Sequence, residues 1–237
     1  MRVSEIELFE AILKSLQDQT PFAVARFGDG EYSVVEECEL TDSTYIKHIG
    51  YMPTDKEKIA IGQGVLNTIP SLDYIGITLR AHGFWGLSRK YFEGIATQSI
   101  VSLDFHTYFL ENGLITQIVE KATKLLYISG HDINFKKFSN LKEVIHLEIP
   151  LQYCKYPEAR KYYPEYFNKT MDAIKGMDLT GYLCFVGAGY IGKPFMGAIK
   201  ERGGVAVDLG SVMDRLAGYI IRGAIGQYGT PDKKYKL

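Results

Sequence analysis

Short apolar runs alternate with stretches of helical period along this chain, and that rhythm restricts the fold more than any single motif does. Runs at 22–27, 74–79, 99–103, 124–129, 144–149, 181–186 and 204–208 read as strands. Helical segments are expected at 5–18, 55–69, 88–97, 107–122, 165–176 and 190–202, with another beginning within 31–38 and turning Tyr32 and Val35 inward. Ser4 and Glu7 form a capping box, and Ile6, Phe9, Leu13 and Leu16 follow at helical spacing. Pro21 and Pro70 close their helices. Strands separated by helices predict an α/β fold, with a largely parallel, Rossmann-like sheet flanked by helices. There is no internal repeat and no low-complexity linker, so residues 1–237 read as a single domain. The closing Asp-Lys-Lys-Tyr-Lys-Leu reads as a frayed basic tail.

The first apolar run empties into Arg26-Phe27-Gly28-Asp29-Gly30-Glu31. Open parallel sheets bind ligands outside the carboxyl ends of their strands, which is where these residues would stand. Gly28 and Gly30 permit close approaches that a Cβ would block. Carboxylates at Asp29 and Glu31, beside Arg26, suit a divalent cation such as Mg²⁺ or Mn²⁺ together with a phosphate. The plainer alternative is a polar turn after an edge strand, for which Gly-Asp-Gly is good chemistry.

Composition excludes several classes. Lys and Arg number 27 against 28 Asp and Glu, a net charge of -1, so nothing supports non-specific nucleic-acid binding. Cys38, Cys154 and Cys184 lack zinc or redox spacing and read as reduced thiols. The first ten residues carry acids where a signal peptide needs an apolar core, and no run approaches a membrane span. A cytoplasmic protein is the expectation, with peripheral membrane association and a homo-oligomer left open. Tyrosine is abundant at 17 residues, offering stacking faces and hydroxyls of the kind that sugars and nucleosides use.

Gly187-Ala188-Gly189-Tyr190-Ile191-Gly192 matches the dinucleotide fingerprint, with Asp208 about where a ribose-binding acid would stand. Taken alone it favours an NAD- or S-adenosylmethionine-dependent enzyme. Too little chain follows Asp208 to complete such a fold. The physics transfers to any diphosphate, because a glycine loop at a helix start offers free amides, and Lys193 lies in the first helical turn. Glycines that merely let helix and strand pack closely are the structural alternative.

The 26–31 motif, taken with the glycine turn, Asp208-Leu-Gly-Ser211-Val-Met-Asp214 and the later Arg222, resembles the GT-D fold glycosyltransferases. Leu216 stands where the fuller family pattern has Trp. The resemblance implies a glycosyltransferase that moves a sugar from a nucleotide-sugar donor, UDP-linked, to a glycan or glycoconjugate acceptor of a bacterial-type surface polysaccharide. Asp29 and Glu31 would hold Mn²⁺ or Mg²⁺. Arg26, Gly28, Gly30, Gly187, Ala188, Gly189, Lys193 and Ser211 would line the donor site. Asp214 and Asp208 are the matched candidates for the catalytic base, and His82, His106 and His131 are unmatched ones. Arg80, His82, Phe84 and Trp85 form a further cluster that reads either as a stacking loop or as a hydrophobic plug. The 151–166 segment, with Arg160 and Lys161, reads as an acceptor flap or a plain connection. A non-catalytic nucleotide-binding partner is the remaining alternative.

Overall fold

Both faces of the first strand are apolar. Phe22 and Val24 face one core cluster and Ala23, Ala25 and Phe27 the other, all of them buried. A strand of this kind needs helices on both sides. The computed structural model describes residues 1–35, 53–77, 99–151, 162–220, 230–231 and 234–237; the side chains of Asp29, Tyr32, Ser33, Ile220, Thr230 and Pro231 lie outside that set. The first half holds α1 (Glu5–Asp18), β1 (Phe22–Phe27), α2 (Asp29–Val35), α3 (Asp55–Thr68), β2 (Tyr74–Ile77), β3 (Ser99–Ser102), α4 (Phe105–Glu111) and α5 (Leu114–Lys121). The second holds β4 (Lys124–Ser129), β5 (Glu143–Glu148), α6 (Phe167–Lys175), β6 (Tyr182–Val186), α7 (Lys193–Glu201), β7 (Val205–Asp208) and α8 (Val212–Leu216). A short antiparallel pair follows, β8 (Tyr219–Ile220) with β9 (Thr230–Pro231).

The sheet order is β3-β2-β1-β7-β6-β4-β5, and every neighbouring pair is parallel. This is a single α/β domain with a seven-stranded parallel sheet flanked by helices, as the strand–helix rhythm predicts. One face carries α2, α3, α6 and α7 through Val34, Val65, Ile174 and Phe195. The other carries α1, α4, α5 and α8 through Leu8, Ile12, Phe109, Ile118 and Val212. Leu8 and Ile12 are wholly buried, each worth about 1.5–3 kcal/mol of transfer free energy. The Ser4–Glu7 capping box fixes the start of α1: Ser4 Oγ accepts from the Glu7 amide, and the Glu7 carboxylate accepts from the Ser4 amide.

Four details depart from the sequence expectation. The helical segment 107–122 is two helices, broken where Gly113 takes φ 70°. The helix expected at 190–202 opens with a tight 3₁₀ turn at Tyr190–Gly192 before α7 begins. The helix expected within 31–38 starts earlier, at Asp29, so the acidic motif is its first turn rather than a free loop. The chain end is docked at residues 234–237: the Leu237 amide donates to the Leu216 carbonyl at 3.0 Å, and Tyr235 lies under the Arg215 guanidinium at 4.3 Å. Apolar burial of Tyr235 and Leu237 against the core outweighs the basic character of that segment. The expected helix at 88–97, the loop bearing Arg80, His82, Phe84 and Trp85, and most of the 151–166 segment lie outside the described residues. No helix among the described residues is long and apolar enough to cross a membrane.

Candidate active site

Because the strands are parallel, the carboxyl ends of β1, β7, β6 and β4 share one edge of the sheet. Asp208 closes β7 there, with its side chain 4% exposed. Its Oδ2 accepts from the Arg26 amide at 2.9 Å and from Lys193 Nζ at 2.5 Å. The same ammonium lies 2.9 Å from Glu31 Oε1, and Glu31 Oε2 accepts from the Gly28 amide at 2.9 Å. That last bond is half of a capping box, with Gly28 at the cap and Glu31 three residues into α2. The local chemistry that starts α2 therefore also aims Glu31 at Lys193.

Arg26 completes the cluster. Its Nε donates to the Leu103 carbonyl at 3.2 Å. Its guanidinium passes over Gly210, where φ is 48° and any Cβ would collide with Nη1. Two cations and two carboxylates thus stand together at the junction of β1 and β7. Burial would raise the Glu31 carboxyl, but the charge and hydrogen bond of Lys193, with the Gly28 amide, outweigh it and hold the group below its usual range. Burial would likewise lower Lys193, yet Asp208 and Glu31 keep it raised. Both groups are ionised across the neutral range.

Beside this cluster lies the glycine turn. The Gly187 amide donates to the Ile128 carbonyl at 2.8 Å, and a Cβ at Gly187 would stand 2.6 Å from Met213 Cγ. Gly187 is thus a packing glycine, in line with the structural alternative. Gly189 takes φ 55° and ψ −155°, a backbone region that only glycine occupies freely. Among the described residues the amides of Ala188 and Gly189 donate to no acceptor.

A second polar pair stands two strands away. His131, just past β4, brings Nε2 to 3.2 Å from Asp214 Oδ1 on α8, with side-chain exposures of 13% and 17%. The approach is a close contact off the line of a hydrogen bond. The Tyr219 ring stacks on the imidazole at 4.9 Å and 17°. The His131 amide donates to Ser129 Oγ at 3.1 Å, which fixes the loop.

The sheet therefore brings Arg26, Gly28, Gly30, Glu31, Gly187, Ala188, Gly189, Lys193, Asp208, Ser211 and Asp214 to one edge, although the sequence holds them in two distant blocks. Gly30 lies in the first turn of α2 against the Tyr190 ring. Ser211 precedes α8, and its hydroxyl does not cap that helix. Asp29 opens α2, and its side chain lies outside the described residues. His106 is buried in the first turn of α4, edge-on to Phe105; His82 and Arg222 lie outside the described residues. Three partnerships carry no sequence signal: the Lys193 bridge, the Leu103 carbonyl under Arg26, and the pairing of His131 with Asp214. Each joins positions far apart in the chain or on different elements, which spacing rules do not reach. Cys184 is buried, and burial pushes its thiol upward and leaves it inert.

A family model described as the GT-D fold-like domain matches residues 3–216. A search of curated proteins finds no match. Among solved structures, a selenomethionine-substituted form of domain of unknown function 1792 is 15% identical, with a TM-score of 0.59 over 98% of this chain and 90% of that one. A second structure of that domain, described as having a distinct glycosyltransferase fold, is 14% identical at TM-score 0.57, over 89% of this chain and 78% of that one. A third, described as a new glycosyltransferase from Streptococcus sanguinis, is 13% identical at TM-score 0.56, over 94% and 91%. At these identities the likeness is one of fold.

Proposed function

This chain belongs to the GT-D-like family, and from that premise we propose that it is a glycosyltransferase. It transfers a sugar from a nucleotide-sugar donor, UDP-linked, to a glycan or glycoconjugate acceptor. The observation that carries this reading is the meeting of the 26–31 motif and the 187–214 block on one sheet edge, with β7 between β1 and β6. The backbone amides of the Gly187–Gly189 turn would receive the diphosphate. Arg26 and Lys193 supply fixed positive charge beside it, and such charge stabilises the transition state as the leaving group becomes more negative.

Asp29 and Glu31 are oxygen donors of the type a hard divalent ion takes. Glu31 offers an ionised carboxylate that is 12% exposed, two residues from Asp29. Asp29 and Glu31 would hold Mn²⁺ or Mg²⁺, which would supply further charge for the departing diphosphate. Lys193 orients Glu31 and holds its carboxyl below the usual range.

The dinucleotide reading has less support. A ribose-binding acid needs a free carboxylate, whereas Asp208 is buried between Lys193 and the Arg26 amide. Thermal shift separates the readings. UDP with Mn²⁺ should stabilise the protein by about 2.7 kcal/mol at a hundredfold excess over its dissociation constant, and a chelator should reduce the effect. Stabilisation by NAD or S-adenosylmethionine, with none by UDP, would reverse the assignment. Binding of UDP without transfer to any acceptor would point to the non-catalytic partner.

A further inference from the structure

Transfer to a hydroxyl acceptor needs a group that takes the hydroxyl proton, and the candidates differ sharply in their surroundings. Asp208 is spent: one carboxylate oxygen accepts from both Lys193 and the Arg26 amide, and the side chain is nearly buried. A carboxylate held by an ammonium is a poor proton acceptor. Asp214 stands elsewhere, against His131 Nε2.

We infer that His131 is the proton acceptor of the transfer reaction and that Asp214 is its positioning residue; this rests on the glycosyltransferase reading above. His131 turns Nε2 toward Asp214 Oδ1, and the tautomer with its proton on that nitrogen would leave the lone pair on Nδ1. Nε2 is buried, so the ring's residual exposure lies on its other atoms. Tyr219 stacks flat on the ring, and the Ser129 hydroxyl holds the backbone, so the imidazole is fixed from three sides. The nearby Asp132 carboxylate is turned away, accepting from the Tyr127 hydroxyl at 2.9 Å. Asp214 is thus the charged partner of the ring among the described residues.

The pair also adjoins the donor site. Gly187 packs on Met213, the residue before Asp214, and its amide is bonded to Ile128, three residues before His131. The glycine turn follows β6, which pairs directly with β4, so the turn and His131 leave neighbouring strands at the same edge of the sheet.

The step balances. As the acceptor oxygen forms its bond to the anomeric carbon, its proton passes to His131 Nδ1. The anomeric carbon–oxygen bond breaks, and its electron pair leaves with the nucleoside diphosphate. Asp214 stabilises the imidazolium that results.

The test measures UDP release from UDP-glucose, UDP-galactose and their N-acetylated counterparts, with water as acceptor. His131→Gly should lower kcat by roughly 10²–10⁴-fold with UDP affinity unchanged, and added imidazole should restore turnover. Asp214→Asn should lower kcat without rescue by imidazole. If the glycine variant fails to fold, His131→Gln carries the same kcat comparison. Wild-type turnover in the His131 variants, or loss that imidazole cannot restore, would overturn the inference and leave the glycosyltransferase reading standing. A wild-type protein that neither binds UDP nor releases it from these donors would overturn that reading, and the role of the pair with it.

Discussion

The buried ammonium of Lys193 answers to two carboxylates at once, which makes it the most consequential single side chain of the site. Glu31 is held below its usual value, so its contribution to stability is complete above about 4.5 and is lost as pH falls through the lowered value. Lys193 is raised, so its contribution is complete below 10.5 and is lost as pH rises through the raised value. Across neutral pH the bridge is whole. Lys193→Met would leave Glu31 and Asp208 buried without their cation, at a cost of about 3–5 kcal/mol at pH 7. Unpaired buried carboxylates prefer the neutral form, so this deficit should narrow on acidification toward pH 5. Urea melts of both proteins at the two pH values check the sign; a deficit that widens would contradict it. The sequence marks each of these residues as chemically loaded but assigns Lys193 to a ligand. Its partnership with Asp208 spans 15 positions and with Glu31 far more, and only the fold brings such charges together.

At the scale of elements, α2 carries Glu31 and is set by its contact with α3. Gly62 of α3 lies under the backbone of α2, where a Cβ would stand 2.7 Å from the Val34 carbonyl oxygen. Backbone cannot swing aside as a flexible side chain can. Gly62→Ala should therefore push α2 outward, destabilising by about 1–3 kcal/mol and weakening UDP binding in a thermal-shift titration. An alanine variant with wild-type stability and affinity would show that α2 is not so held. Strands such as 22–27 were legible because both faces are apolar, which few other elements imitate. The start of α2 was harder to read, since Gly-Asp-Gly suits a turn as well as a helix cap, and the Glu31–Gly28 bond decides between them. Gly113 breaks a helical period that by pattern alone runs through it.

For the whole molecule, the two motif blocks meet because β7 is inserted between β1 and β6. That order was not legible: strand pattern reports burial, while neighbour choice depends on contacts between distant segments. The functional motifs implied only that the two blocks come close. Hydrogen exchange should be slowest in β1, β7 and β6, whose residues are almost all buried between two helical layers, and faster in β5, where Glu143 and Glu148 are exposed. Uniform protection across the sheet would argue against this ranking. The placement of β7 also bears on synthesis. Among the described residues one half of the sheet, β3-β2-β1, and the other, β6-β4-β5, are joined in strand pairing only through this late strand. Until the ribosome has passed residue 208, the nascent chain carries two raw strand edges, at β1 and β6, each able to pair with a neighbouring chain. Chaperone dependence during translation should therefore ease once β7 is released.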